Sequence, residues 1–156
     1  MNIWQFQDQI LTRLNRWALF SIGTGLVMSR SRRLEIRGTG KQFVGWGLVN
    51  ALIASAGKWF GKRRQTQRSA EPDQKRLAQR ERRNLSRLLW VNAGLDIFYI
   101  LGGALLLRKR GKRDKSWLGQ GLGIILQGGF LFFFDLGHAL QLESTETEIR
   151  EGHPDA

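Results

Sequence analysis

The run from Leu88 to Leu107 contains twenty residues and a single charged one, Asp96, near its middle. Twenty mainly apolar residues in an α-helix extend over roughly 30 Å, which is the thickness of the hydrocarbon core of a bilayer. An ionisable side chain at that depth costs about 2.5–3.5 kcal/mol on insertion scales, so it faces protein or water rather than lipid. The run therefore predicts a transmembrane helix whose carboxyl group points into a helix bundle.

The rest of the chain predicts three further spans. Residues 3–16 are amphipathic at helical spacing, and we expect them to continue into the first span. The alternative is an interfacial helix that breaks near Arg16. The predicted fold is all-α, an integral membrane bundle of four transmembrane helices with an amphipathic N-terminal extension of the first helix. The predicted spans cover about 3–29, 42–61, 88–107 and 116–140, within a membrane domain of residues 1–142.

Positive charge is concentrated between the predicted spans. A net charge of +12 is common in nucleic-acid-binding proteins. Here every basic block borders an uncharged run, which favours the lipid bilayer and its anionic headgroups as partners and no nucleic acid. The basic link of residues 62–87 offers Asp73 as the N-cap of an extended third helix. Residues 143–156 form an acidic tail that we expect to be flexible.

The orientation of the predicted bundle stays open. Lys and Arg number fourteen on the side of the termini and eleven on the side of the two short turns. That difference is too small for the positive-inside rule to decide. The first thirty residues lack the basic start and the cleavage site of a signal peptide, so we expect them to remain on the protein.

Polar residues recur near the middle of three predicted spans. Asn92, Asp96 and Tyr99 occupy one face of the third helix, at positions i, i+4 and i+7. Asn50 and Gln127 lie near the middle of the second and fourth spans, and each offers donors and acceptors. We predict a polar layer in which either one satisfied hydrogen-bond network holds the helices in register, or Asp96 binds a proton, a cation or a polar ligand.

A second polar cluster is predicted near the end of the fourth span. Asp135 and His138 lie about one turn apart there, on the side of the membrane that also carries Arg16. We predict a contact between Arg16 and Asp135, with a proton path through Asp135 and His138 as the less favoured alternative. The chain has no cysteine, and its other histidine, His153, lies in the tail. We therefore expect no metal and no cofactor.

Glycines predict where helices approach one another. Gly119 and Gly123 form a GxxxG pair in the fourth span, and Gly102 and Gly103 are adjacent in the third. Small residues allow helix backbones to pack closely in lipid. We predict that these four glycines are helix-packing positions, within the bundle or between copies.

Each of the four predicted spans contains short motifs of aromatic, polar and glycine residues. They are Trp17-Ala18, residues 46–51, residues 92–99 with Gly102-Gly103, and Gly121, Gly123, Ile125, residues 127–132 and Phe134-Asp135. In these stretches the chain resembles a family of small uncharacterised bacterial membrane proteins with four predicted helices, a domain of unknown function. The resemblance implies the four-helix architecture, and we expect the chain to be integral to a bacterial membrane, the inner (cytoplasmic) one. It implies no activity.

These features lead to two functional expectations. The favoured one is a non-enzymatic accessory or interaction subunit, whose polar layer holds the bundle and whose surfaces engage a membrane-protein partner or a second copy. The alternative is a small oligomeric transporter or channel in which Asp96 is the proton or cation site. Intramembrane catalysis ranks third, because no nucleophile–base pair is recognisable in the sequence.

Overall fold

The computed structural model describes the backbone of residues 2–68 and 73–151 and the side chains of residues 2–63 and 73–144. Within these residues there is no strand, and the all-α prediction is confirmed. The elements are α1 (Ile3–Ser29), α2 (Leu34–Arg68), α3 (Gln74–Leu106), a π-helical turn (Leu107–Gly111) and α4 (Lys115–Glu151).

Consecutive helices run antiparallel, so the two short connections lie together at one end of the bundle, here called the turn end. Close crossings pair Gly25 of α1 with Gly40 of α2, and Gly103 of α3 with Gly121 of α4. α2 and α4 run parallel and also pack against each other. The opposite end, here called the terminal end, carries Asn2.

The first helix is continuous, as predicted, and does not break near Arg16. Asn2 caps it, because its side-chain oxygen accepts a hydrogen bond from the backbone N–H of Trp4 at 3.0 Å. One face of α1 is buried at helical spacing and forms part of the core of the terminal end. That core consists of Ile3, Phe6 and Ile10 of α1, Leu89 of α3, and Ala139 and Leu142 of α4. The N-terminal part of α1 therefore packs in the bundle and is not a separate helix at a membrane surface.

Two helices extend further than the predicted spans. α2 begins at Leu34 rather than near residue 42, because Gly38 and Gly40 pack against the neighbouring helices and hold this segment in the bundle. α4 continues to Glu151, so residues 143–151 are helical rather than the predicted flexible tail. Leu142 is 1% exposed and anchors α4 in the terminal-end core. Residues 152–156 of the predicted tail lie outside the described residues.

Most of the predicted link of residues 62–87 belongs to helices. α2 continues to Arg68, and α3 begins directly after Asp73. The carboxylate of Asp73 accepts a hydrogen bond from the backbone N–H of Arg76 at 3.1 Å and also pairs with its guanidinium at 3.0 Å. The predicted N-cap is therefore confirmed.

Two helical segments among the described residues are long and apolar enough to cross a membrane, Gln74–Gly111 and Lys115–Ser144. The prediction of four transmembrane helices is not supported. α1 carries the charged residues Asp8, Arg13 and Arg16 between its apolar residues. In α2, glycines and amide side chains interrupt the apolar residues and lower the mean hydropathy. Both helices therefore lack a sufficiently apolar stretch by composition.

Candidate functional site

A cavity of about 210 Å³ lies at mid-height in the bundle, where α2 and α3 face each other across α4. We call it the central cavity. Its wall includes two carboxyl groups, two amides and two aromatic rings, surrounded by aliphatic side chains. The lining residues are Leu14 of α1; Trp46, Val49, Asn50 and Ile53 of α2; Asn92, Leu95, Asp96 and Tyr99 of α3; and Leu131 and Asp135 of α4.

Two carboxyl groups meet in the central cavity. Asp96 is 5% exposed and Asp135 is 8% exposed. They come from different helices, and they lie close enough to interact electrostatically. Two buried carboxylates repel each other unless a proton or a cation lies between them. The arrangement therefore favours either protonation of a carboxyl group or binding of a cation between the two.

Two polar atoms in this wall lack a hydrogen-bond partner. They are Nδ2 of Asn50 and Oδ2 of Asp96, and both atoms are buried. A buried polar atom without a partner costs about 1–3 kcal/mol, so native proteins rarely leave one unmatched. One atom is a donor and the other is a carboxyl oxygen. Together they fit a ligand that offers an acceptor and a donor at the same place.

The aromatic rings of Trp46 and Tyr99 form one side of the cavity. Their centroids are 4.7 Å apart, and the rings meet edge to face at 82°. Aromatic faces attract cations, most strongly organic ammonium groups that hold their hydration shell weakly. Trp46 lies four residues before Asn50 on α2, so a helical projection from Asn50 identifies it as a neighbour of the polar site.

Gln127 does not join the other predicted polar residues. Its side chain is fully buried against α1, where Oε1 accepts a hydrogen bond from Nε1 of Trp17 and Nε2 donates one to Oγ of Ser21, both at 3.1 Å. The Trp17 ring also stacks on Phe130, with centroids 3.6 Å apart. The predicted single layer is therefore two separate clusters, a satisfied one around Gln127 and an unsatisfied one around Asp96. Ser21 lies one turn after Trp17, and the sequence reasoning missed it.

The second predicted cluster is also divided. Asp135 faces the central cavity, whereas His138 contacts α1. Nη1 of Arg13 lies 3.1 Å from Nε2 of His138, and the carbonyl oxygen of Phe134 lies 2.6 Å from its Nδ1. Because a guanidinium only donates, Nε2 accepts and the Nδ1 proton is donated to the carbonyl. Both ring nitrogens are thus engaged, which argues against a proton path through His138.

Arg16 is not brought to Asp135. Its side chain is exposed, and no hydrogen bond or ion pair joins the two residues within the described side chains. Arg13 precedes Arg16 by three residues and is the arginine that reaches α4. The sequence shows that both arginines lie near this depth, but the rotation of α1 selects which one contacts the fourth helix.

Three of the four predicted packing glycines lie at close helix contacts. A Cβ atom on Gly119 would collide with the carbonyl group of Glu35, and one on Gly123 would lie 2.6 Å from Cβ of Gln42. A Cβ atom on Gly103 would lie 3.0 Å from the carbonyl oxygen of Gly121. Gly102 differs, since an added Cβ atom there would have no described atom outside its own helix segment within 4 Å.

The groups that line the central cavity are able to bind a cation. Among the described residues, no group of three or more His, Cys, Asp or Glu side chains is placed to hold a metal ion. The only described histidine, His138, has both nitrogens engaged and does not line the cavity. Two carboxyl groups, two amides and two aromatic rings can hold a small cationic group.

A model of a family of unknown function, DUF6992, matches residues 13–136 of the chain. The matched segment contains every residue that lines the central cavity. No curated protein and no solved structure matches the chain. The family description carries no activity, so an assignment of function has to rest on the geometry of the site.

Proposed function

The chain belongs to the DUF6992 family, whose function is unknown, and we propose that it is a membrane-embedded helix bundle that binds a cation in its central cavity. Asp96 and Asp135 supply the negative charge, Asn50 supplies a hydrogen-bond donor, and the rings of Trp46 and Tyr99 supply aromatic surface. This proposal develops the second of the two expectations from the sequence, a small oligomeric transporter or channel with Asp96 as the proton or cation site.

The distribution of apolar side chains supports a lipid environment. Among the described residues, 24 large hydrophobic side chains are exposed, whereas 12 hydrophobic residues are buried. The exposed ones occur on all four helices and include Phe20, Leu52, Phe98 and Phe133, which are each more than half exposed. Soluble monomers rarely expose contiguous apolar surface on this scale. Lipid is the solvent that such a surface fits.

The basic turns support anionic headgroups as a partner. Residues 30–41 contain five Lys and Arg residues and residues 108–115 contain six. The fold places both segments at the turn end. Anionic headgroups attract such clusters by about 1 kcal/mol per basic residue near the surface. We place the bundle in a bacterial inner membrane with this end at the headgroups.

The observation that carries the cation site is the buried, unpartnered Oδ2 of Asp96, beside which Nδ2 of Asn50 is also unpartnered. A polar layer that served only to hold the helices together would be satisfied internally, as the cluster around Gln127 is. A binding site keeps unmatched groups ready for its ligand. The contrast between the two clusters favours ligand binding over an interaction subunit at this position.

The test is a binding titration on the purified protein in a non-ionic detergent. Ethylammonium, sodium and potassium chlorides are titrated separately into the wild type, Asp96→Asn and Asp8→Asn, with heat as the readout. Asp8 is an exposed carboxylate of α1, so its variant is a matched control. We expect saturable binding of at least one cation to the wild type and Asp8→Asn, and its loss in Asp96→Asn.

Binding of none of the three cations, or equal binding to Asp96→Asn, would refute the proposal. Thermal unfolding of each variant checks that a loss of binding is not a loss of fold, and Asp135→Asn replaces Asp96→Asn if the latter does not fold. Uptake of the bound cation into proteoliposomes then separates a transporter from a binding protein that does not transport.

A further inference from the structure

An apolar groove continues from the central cavity toward the terminal end. It has a volume of about 280 Å³ and shares Leu14, Ile53, Asn92 and Asp135 with the cavity. Apart from Gln7, its other walls are apolar, formed chiefly by Phe60 of α2, Leu85 and Leu88 of α3, and Phe134 of α4. We call it the α2–α3 groove. Cavity and groove together fall in the size range of about 300–1,000 Å³ that is typical of sites for small organic molecules.

The groove exists because of how the helices pair. α2 packs on α1 and α4, and α3 packs on α4, but α2 and α3 make little contact with each other within the described residues. Glycine contacts hold α2 against α4 at the turn end, where Gly38 and Gly119 lie. Toward the terminal end α2 and α3 line opposite walls of the groove. The polar central cavity and the apolar α2–α3 groove thus form one continuous path.

Building on the proposed function, we propose that the cation is the head of an amphiphilic amine, which carries an oxygen acceptor beside its ammonium group and an alkyl tail that lies in the α2–α3 groove. Each part of this ligand matches a feature of the site. The ammonium group faces Asp96 and Asp135, the oxygen accepts from Nδ2 of Asn50, and the tail contacts the aliphatic and aromatic walls.

An organic head fits the cavity better than a metal ion does. Among the described residues the wall offers no third His, Cys, Asp or Glu beside the two carboxyl groups. Part of the wall is instead aromatic, from Trp46 and Tyr99. Carboxylates and aromatic faces together recognise ammonium groups. The N–H donor of Asn50 cannot coordinate a bare cation, but it can donate to an oxygen three bonds from an amine nitrogen, as in a 2-aminoethanol group.

The first part of the test varies the ligand. Ethanolamine, N-octylethanolamine and N-octylethylamine are titrated into the full-length wild-type protein in detergent. Ethanolamine is the head without a tail, and N-octylethylamine lacks the oxygen. We expect N-octylethanolamine to bind at least tenfold more tightly than ethanolamine, because burial of its tail is favourable. We also expect it to bind about tenfold more tightly than N-octylethylamine, which leaves the amide of Asn50 unmatched.

The second part varies the protein. Gly61 lines the groove, and a Cβ atom added there meets nothing within 4 Å, so Gly61→Leu adds an alkyl side chain beside the groove with room for its first carbon. Gly45 of the same helix also has 4 Å of open space but does not line the groove, which makes Gly45→Leu the matched control. We expect Gly61→Leu to reduce the octyl advantage at least fivefold and to leave ethanolamine binding unchanged. Asn50→Leu should abolish the preference for the oxygen.

The outcomes separate this inference from the proposed function. If ethylammonium binds through Asp96 but the octyl tail adds no affinity, or adds the same in Gly61→Leu and Gly45→Leu, the groove is not the tail site and this inference fails alone. Equal affinities for N-octylethanolamine and N-octylethylamine would refute the role of Asn50. If no amine binds the wild type, this inference fails, and the proposed function fails with it only if sodium and potassium do not bind either.

Discussion

The contact between α2 and α4 at Gly119 gives the sharpest quantitative prediction. In Gly119→Ala the new methyl group would collide with the carbonyl oxygen of Glu35 and lie 2.6 Å from its carbonyl carbon and 2.8 Å from its Cα atom. These atoms belong to the backbone, so no side-chain rotation relieves the collision. Carbon atoms prefer a separation of about 3.5–4.0 Å, and the two helices must therefore move apart by roughly 1 Å.

That displacement has two costs. Overpacking of a well-packed contact costs about 1–3 kcal/mol. The hydrogen bond from Oγ1 of Thr39 to the carbonyl oxygen of Gly119, now 2.9 Å long, weakens as the helices separate, at a cost of about 1 kcal/mol. Alanine recovers about 1 kcal/mol through its higher helix propensity. We expect Gly119→Ala to lower the free energy of unfolding by about 2 kcal/mol.

The matched control is Gly137→Ala on the same helix. A Cβ atom at Gly137 meets nothing within 4 Å, so only the helix propensity acts and the variant should gain about 0.5–1 kcal/mol. Both variants are measured by reversible unfolding of the detergent-solubilised protein with sodium dodecyl sulfate, followed by far-ultraviolet circular dichroism. If Gly119→Ala is as stable as the wild type or more stable, α2 and α4 do not approach as closely as the structure has them.

Three further predictions concern buried polar groups, and each is read from the same unfolding measurement. Asn50→Leu should raise the unfolding free energy of the ligand-free protein by about 1 kcal/mol, because it removes an unpartnered buried amide; a clear loss of stability would contradict the unpartnered state. Arg13→Ala should lower it by about 1 kcal/mol, since the buried histidine of α4 loses a donor. Arg16→Ala should change it by less than about 0.5 kcal/mol, and equal effects of the two arginine variants would show that Arg13 has no special contact. Ser21→Ala should cost about 1–3 kcal/mol, because it leaves the buried amide of Gln127 without an acceptor. Exposed Ser55→Ala on α2 is its control, with a change below about 0.5 kcal/mol, and a similar loss in both serine variants would contradict the buried hydrogen bond.

Local structure was largely readable from the sequence. The helical spacing of apolar residues within 3–16 predicted a continuous first helix, and the position of Asp73 predicted the start of the third. Both signals act over a few residues, through the burial of one helix face and through a hydrogen bond to free backbone N–H groups. Local signals did not show that α2 begins as early as Leu34, where Gly38 and Gly40 pack against neighbouring helices, or that α4 continues to Glu151.

The composition of the site was also readable, in part. Asn50, Asn92, Asp96 and Tyr99 were predicted together, and all four line the central cavity. Three of them share one face of α3, and the depth of each residue along its helix follows from counting residues at 1.5 Å each. Asp135 was assigned to a different cluster, because it lies nearer the end of its helix and the sequence does not show that α4 turns it toward Asp96.

The sequence by itself determined the helices, their polar faces and the depth of each polar residue, because periodicity and residue spacing act along a single helix. Only the tertiary structure decided the rotation of each helix about its axis. Gly102 and Gly103 are adjacent, yet one faces open space and the other contacts α4. Gln127 shares the depth of Asp96 but points to α1, where it is satisfied. Successive residues differ by about 100° around a helix, and the packing of all the helices together selects which direction faces which neighbour.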